Sequence, residues 1–123
     1  TPAEYFLTPD PGQNDDVMAK EMGEGSLIIN ATGLGKDRPG SPLTDAAQFP
    51  KKAIVWEINY RGELTFMHQA EAQEREKELD IQDGWMYFVY GWTQVMADVL
   101  HCELLGEKLK KLSEIAREVQ SRK

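Results

Sequence analysis

Cysteine and long apolar runs are both scarce in this sequence. Cys102 is the single cysteine among 123 residues, so the chain can form neither an internal disulfide nor a cysteine-bound metal cluster. A lone thiol is typical of a reducing compartment, and we expect a cytoplasmic protein in which Cys102 is an inert, buried side chain. The apolar runs are all far shorter than the roughly 20 residues that cross a bilayer. We therefore expect no membrane partner.

Basic residues and histidines are also few. The 14 lysines and arginines face 21 aspartates and glutamates, and the net charge of −7 argues against a nucleic-acid-binding surface. Neither His68 nor His101 has a neighbouring serine or cysteine with which to form a nucleophilic pair. A metal site would require both histidines to meet Glu57 and Asp83, and the spacing of these residues matches no ligand pattern. We expect no metal site and no nucleic-acid partner.

Three short apolar runs, each followed by a turn, are present in the first two thirds of the chain. The runs cover 27–31, 53–56 and 79–82, and the turns contain Asn30 to Gly35, Asn59-Tyr60 and Asp83-Gly84. Run 27–31 has no polar alternation, which is typical of a strand covered on both faces. The segments between the runs are too long for hairpins and predict crossovers in a parallel sheet. We expect an α/β fold with three layers, three or four parallel strands, and helices on both faces.

Four helices are predicted from the helical spacing of apolar residues. They cover 15–22, 64–77, 85–105 and 107–121. Asn14 is the expected N-cap of the first helix, because acidic residues follow it in the first turn. In the second helix, Met67 and Ala70 are expected to face inward. Residues 5–7 are a candidate for a further short strand.

The strand-end motifs occur in the order and spacing of one known family. They are Asn30-Ala31-Thr32-x-x-Gly35, Pro42-Leu43, Val55-x-Glu57-x-x-Tyr60 with Thr65, and Asp83-Gly84. The pattern resembles the C-terminal half of shikimate dehydrogenase-like proteins over about residues 26–104. In that family an N-terminal substrate domain is followed by a Rossmann-like domain that holds NADP or NAD. A hydride passes between the nicotinamide and the hydroxyl carbon of shikimate or a relative.

The resemblance implies that residues 1–123 are the C-terminal part of such a Rossmann-like cofactor domain. The Gly-x-Gly-x-x-Gly phosphate loop that opens these domains is not in this sequence, and the family's catalytic lysine and aspartate have no counterpart here. We expect the parent protein to be an NAD(P)-dependent oxidoreductase of aromatic amino acid biosynthesis. Its substrate would be the hydroxyl or keto group of a shikimate- or quinate-like acid. The isolated chain, lacking the N-terminal substrate domain, is expected to be inactive.

The resemblance also implies roles for individual residues. The residues implied to contact the cofactor are Asn30, Thr32, Gly33, Ile58, Gly84 and Tyr87. Tyr60 matches a tyrosine that touches the substrate carboxylate region, and Gly91 stands where a substrate-binding glutamine is expected. A site that loses a hydrogen-bonding side chain rejects its old ligand strongly, so a related polyol acid or an unassigned substrate is expected rather than shikimate itself. Glu57 replaces the usual aspartate, and Gly62 and Phe66 replace common prolines.

Two other functions remain open on the sequence. One is a non-catalytic small-molecule-binding or interaction domain that retains the sheet without the reaction. The other is a different Rossmann enzyme that reduces another carbonyl substrate. A glycine-rich loop encoded upstream of Asn30 would favour an enzyme. Because half of a doubly wound sheet leaves an unpaired edge, we also expect a homodimer or a docked C-terminal helix that covers the exposed surface.

Overall fold

The computed structural model describes residues 2–122 and is an α/β structure with a parallel sheet. Within those residues the elements are α1 (Pro11–Glu21), β1 (Leu27–Asn30), β2 (Ile54–Glu57), α2 (Thr65–Glu71), α3 (Glu74–Lys77), β3 (Asp80–Gln82), α4 (Trp85–Leu100) and α5 (Gly106–Ser121). The chain divides into two compact units, the first ending at Asp83 and the second beginning at Gly84.

The sheet of the first unit has three parallel strands in the order β1-β2-β3. Asn30 pairs with Glu57 in the register of β1 and β2, and Trp56 pairs with Gln82 in that of β2 and β3. The predicted α/β class, with a short parallel sheet flanked by helices, is therefore confirmed. Among residues 2–122 the sheet has three strands rather than four. The connection from β1 to β2, residues 31–53, contains no helix, whereas α2 and α3 connect β2 to β3.

The core of the first unit lies against one face of the sheet. The buried cluster contains Met18, Leu43, Ala47, Phe49, Ala53, Val55, Phe66, Ala70 and Leu79. The irregular segment 43–49 thus supplies apolar side chains that a helix would supply in a regular crossover. On the other face, Leu27 and Ile29 are 53% and 43% exposed, so β1 is less covered than its unbroken apolar run predicts.

The first helix begins four residues earlier than predicted. Asp10, not Asn14, is its N-cap: the Asp10 carboxylate accepts from the Gly12 amide at 2.8 Å, and the Gln13 side chain accepts from the Asp10 amide at 3.2 Å. This capping box, with Pro11 at the first helical position, outweighs the signal at Asn14. The Asn14 side chain instead donates to the Pro42 carbonyl at 2.8 Å.

The helix predicted over 64–77 is broken into α2 and α3. Gln73 lies at the break, where its side chain accepts from the Phe49 amide at 3.1 Å and donates to the Ala47 carbonyl at 2.7 Å. These bonds satisfy one backbone amide and one backbone carbonyl of the irregular segment 43–49. Ala70 is buried as predicted, but the inward residue of the first turn is Phe66, 1% exposed, and Met67 is only half-buried.

The second unit is a pair of helices, α4 and α5. The helix predicted over 85–105 ends at Leu100, because His101 adopts a left-handed conformation with φ +50° and stops it. Cys102 follows in a non-helical segment and is exposed, so the expectation of a buried thiol was wrong. The strand proposed at residues 5–7 was also wrong, since Tyr5 and Leu7 are 94% and 95% exposed outside any strand.

Candidate functional site at the strand ends

The carboxyl ends of β1 and β2 carry a pair of buried polar side chains. Asn30 is the last residue of β1 and Glu57 is the last residue of β2, and they are partners in the parallel register. Asn30 is 1% exposed and Glu57 is fully buried. The Asn30 side-chain amide donates to Glu57 Oε2 at 2.9 Å. The two strand ends are thus joined by side chains as well as by the sheet.

A third buried residue, Asn59, completes the network. Glu57 Oε1 accepts from the Asn59 backbone amide at 2.9 Å, so each carboxylate oxygen has a donor. The Asn59 side-chain amide donates to the Leu34 carbonyl at 3.1 Å, and the Asn30 side-chain amide reaches the same carbonyl at 3.4 Å. These bonds tie the turn after β1 to the turn after β2.

The turn after β1 takes its shape from Asn30 and Thr32. The Asn30 side-chain oxygen accepts from the backbone amide of Thr32 at 3.1 Å and from its hydroxyl at 2.7 Å. The Thr32 hydroxyl in turn accepts from the Leu34 amide at 3.2 Å. Short polar side chains after a strand make such turns readily. The Asn-Ala-Thr sequence therefore has a direct structural reason in this chain.

Burial changes the acidity of Glu57. Removal from water disfavours the charged form and raises the pKa of the Glu57 carboxyl above its usual value, while the hydrogen bonds from Asn30 and Asn59 act in the opposite direction. The net direction is upward. A buried carboxylate with two donors at a strand end is a strong structural constraint, because removing either partner leaves an uncompensated polar group.

Two glycines bring the loops that follow β1 and β2 into backbone contact. Gly62 has φ +99°, and a Cβ there would lie 2.3 Å from the Gly35 carbonyl oxygen and 2.7 Å from the Lys36 Cα. Gly35 has φ +87°, and its carbonyl accepts from the Leu64 amide at 3.0 Å. The close approach explains why a side chain is excluded at Gly62.

A small charged cluster lies on these two loops. The Lys36 ammonium is 5.3 Å from the centre of the Tyr60 ring, and the Arg61 guanidinium is 5.9 Å from it. Asp37 bridges the two cations, at 3.2 Å from the Lys36 nitrogen and 3.1 Å from an Arg61 nitrogen. Tyr60 is half-buried, so the cluster lies at the surface of the strand-end edge.

Of the residues predicted to contact cofactor or substrate, five lie in the first unit: Asn30, Thr32, Gly33, Ile58 and Tyr60. The structure joins Ile58 to Asn30 through a backbone bond of 3.2 Å between the Ile58 amide and the Asn30 carbonyl. Gly33 has φ +76°, and a Cβ there would meet nothing within 4 Å. The space beside the Gly33 Cα is therefore open.

The other three predicted residues lie in the second unit. Gly84 is the buried N-cap of α4, and its carbonyl accepts from the Phe88 amide at 2.9 Å. Tyr87 is 56% exposed on α4. Gly91 lies in the middle of the same helix, and a Cβ there would also meet nothing within 4 Å.

Asn59 and Gly35 were predicted to lie in the strand-end turns, but no role was predicted for either of them, and Lys36 was not predicted to lie at this edge. Asn59 was visible as a polar residue directly after an apolar run, which is the same signal that identified Asn30. The Lys36 and Arg61 cluster has no sequence signal, because its members come from loops separated by β2. Among residues 2–122 no group of three or more histidine, cysteine or acidic side chains is arranged to hold a metal. No helix in that range is long and apolar enough to cross a membrane.

Comparison with known proteins links this strand-end architecture to one enzyme family. The chain is 33% identical to the shikimate dehydrogenase (NADP(+)) of Lactococcus lactis subsp. cremoris over 79 residues, which are 63% of this chain and 27% of that protein. It is 31% identical to the Caulobacter vibrioides enzyme over 105 residues, 77% of this chain and 37% of that one. It is 36% identical to the Streptococcus thermophilus enzyme over 62 residues, which are 50% of this chain and 22% of that protein.

The chain therefore spans only between 22% and 37% of the length of the curated relatives it matches. No family model matches the sequence, and no solved structure matches it. The likenesses, together with the α/β fold and the strand-end motifs, support a relationship between this chain and the shikimate dehydrogenases.

Proposed function

We propose that this chain is the C-terminal part of the cofactor-binding domain of an NADP-dependent dehydrogenase that acts on a shikimate- or quinate-like acid. The observation that carries the proposal is the Asn30–Thr32 turn, locked to Glu57 and open to a ligand at Gly33. This turn lies at the carboxyl edge of a parallel sheet, where α/β proteins bind their ligands. The names of the relatives, shikimate dehydrogenase (NADP(+)), supply the reaction and favour NADP over NAD.

In this proposal the nicotinamide ring lies over the turn after β1. The cofactor supplies the hydride chemistry, and the protein supplies binding and orientation. Asn30 and Thr32 keep the turn backbone in one conformation, and the half-buried Ile58 side chain offers apolar contact beside it. Gly84 and Tyr87 of the second unit are proposed to contact the nicotinamide end as well. Every one of these contacts is made to the ring end of the cofactor.

The substrate side is proposed to include Tyr60 and the surroundings of Gly91. Tyr60 would contact the substrate carboxylate, and the space left open at Gly91 would admit a substrate with a different substituent from that of shikimate. No residue of this chain is proposed as the catalytic acid or base. Those groups would come from an N-terminal substrate domain outside this sequence.

The isolated chain is proposed to be catalytically silent. It contains no Gly-x-Gly-x-x-Gly loop, and that loop with its helix N-terminus supplies most pyrophosphate affinity in such sites. A homodimer or contact with the substrate domain would cover the exposed apolar side chains of α4, of which Val99 and Leu100 are 70% and 66% exposed. Sedimentation velocity would detect the dimer, and a strictly monomeric chain would count against it.

The test is an activity assay on the product of the complete open reading frame that encodes this chain. We expect NADP(+) to be reduced in the presence of quinate or another acid of this class more readily than with shikimate itself, and Tyr60→Phe to raise the KM for the acid more than the KM for NADP(+). Tyr5→Phe is the matched control, since Tyr5 is 94% exposed in a non-helical, non-strand segment. Binding of the acid and NADP(+) without turnover would favour the alternative, a non-catalytic small-molecule-binding domain. Absence of both binding and turnover would refute the proposal.

A further inference from the structure

Two of the chain's few cations are held together beside an aromatic ring at the strand-end edge. In a protein of net charge −7, Lys36 and Arg61 both lie within 6 Å of the centre of the Tyr60 ring. The Lys36 side chain is only 23% exposed, whereas lysine side chains usually extend into water. The Lys36 side chain is therefore packed against the protein and does not extend freely into solvent.

The backbone contact between Gly35 and Gly62 sets this arrangement. Lys36 directly follows Gly35 and Arg61 directly precedes Gly62, and a Cβ at Gly62 would lie 2.7 Å from the Lys36 Cα. Only a glycine at position 62 permits so close an approach, and it also requires φ +99°. The two cations are thus brought together by main-chain packing and do not depend on chance side-chain conformations.

Asp37 contacts both cations but occupies only some of their hydrogen-bond donors. It contacts one nitrogen of Lys36 and one nitrogen of Arg61. An ammonium has three N–H donors and a guanidinium has five, so the contacts with Asp37 and the hydrogen bond between Arg61 and Tyr60 use only part of this capacity. One carboxylate against two cations leaves a net positive charge on the cluster, and cation–π contact with Tyr60 keeps both groups near the ring. Glu63, on the same loop, is exposed.

We propose that Lys36, Tyr60 and Arg61 form an anion-binding corner that receives the carboxylate of the substrate. The identity of the anion rests on the proposed function; the corner itself rests on the geometry above. A carboxylate is well matched to a guanidinium and an ammonium that converge, because charge-assisted hydrogen bonds to both are short and strong. A phosphate group could accept hydrogen bonds from the same two cations, and the experiment distinguishes a carboxylate ligand from a phosphate ligand.

The experiment is an NMR titration of the 15N-labelled chain with three probes: shikimate, its methyl ester and inorganic phosphate. We expect shikimate to shift the amide signals of residues 35–37 and 60–62, and the ester, which lacks the negative charge, to leave them unchanged. Lys36→Gln and Arg61→Gln are each expected to weaken shikimate binding about tenfold, the loss typical of one charge-assisted bond. Lys51→Gln is the matched control, an exposed lysine just before β2, and is expected to change affinity less than about twofold.

The outcomes separate the corner from the proposed function. Phosphate binding at 35–37 and 60–62 without shikimate binding there would keep an anion site and refute a carboxylic acid as its ligand. Equal binding of ester and acid in the unmodified chain would overturn the corner whether or not the variants fold. Failure of all three probes to shift these signals would also overturn the anion-binding corner. That result would not contradict the proposed nicotinamide contacts at Gly33 and Ile58. Recovery of shikimate binding in Lys36→Arg would show that charge, not packing, carries the effect.

Discussion

The side-chain amide of Asn30 donates to Glu57 Oε2 at 2.9 Å and so joins the ends of two parallel strands inside the protein. Glu57→Gln keeps the size of the side chain but places an amide group where both neighbours are donors. We expect a loss of about 1–3 kcal/mol in the free energy of unfolding, the usual cost of leaving a buried polar group unsatisfied. Urea denaturation measures it. The exposed Glu63→Gln should stay within about 0.5 kcal/mol of the parent chain.

The same residue predicts a pH dependence of stability. Burial raises the pKa of Glu57 in the folded chain, so the native state holds this proton to a higher pH than the unfolded state does. The stabilisation from Glu57 is therefore fully present below the unfolded value of 4.5 and is lost as the pH rises through the folded value. The difference in unfolding free energy between the parent chain and Glu57→Gln should fall from acidic to neutral pH. A difference that grows with pH would contradict this prediction.

The contact between Gly35 and Gly62 predicts an unequal response of two glycines. Gly62→Ala puts a Cβ 2.3 Å from the Gly35 carbonyl oxygen at φ +99°, whereas Gly40→Ala at φ +102° meets nothing within 4 Å. Both variants bear the strain of a positive φ, about 1 kcal/mol or more, but only Gly62→Ala must also separate two loops. We expect Gly62→Ala to lower the unfolding free energy by at least about 1 kcal/mol more than Gly40→Ala does. Equal losses would mean that the loops are not in contact.

Gly91 offers a gain of both stability and affinity. It is exposed in the middle of α4 with open space where a side chain would begin. Gly91→Gln and Gly91→Ala should each stabilise the helix by about 0.5–1 kcal/mol, which circular dichroism during urea denaturation will detect. Gly91→Gln alone should strengthen shikimate binding, because it restores an amide at a proposed substrate position. Equal affinity in both variants would remove Gly91 from the substrate site.

The parallel sheet and the strand-end turns could be predicted from sequence because their signals are local. Apolar runs at 27–31 and 53–56, each followed by Asn or Gly residues, mark strands and their ends without tertiary information. The observed strands, Leu27–Asn30 and Ile54–Glu57, lie within one residue of those limits. Helix ends were predicted less well, as α1 shows: Asn14 is a good N-cap residue, but Asp10 with Gln13 forms a better box.

The features that were missed depend on contacts between distant segments. At the break between α2 and α3, the Gln73 side chain forms hydrogen bonds with the segment 43–49. No local sequence pattern predicts these partners, because they lie more than 20 residues away along the chain. The Lys36 and Arg61 cluster likewise needs the two loops to be adjacent in space. A role for Asn59 was within reach of sequence reasoning, since Asn59 lies two residues after the end of β2, as Thr32 does after the end of β1. The helix break and the cation cluster depend on packing between distant segments and not on the preferences of single residues.

The most direct test of the central claim is an NMR titration of the 123-residue chain with NADP(+). A few backbone hydrogen bonds of about 1 kcal/mol each cannot offset the several kcal/mol lost on association, so we expect a Kd that is millimolar or weaker. The shifted amides should be those of Thr32, Gly33 and Ile58. Low-micromolar affinity, or shifts confined to the opposite edge of the sheet near Gly25 and Lys52, would contradict the account.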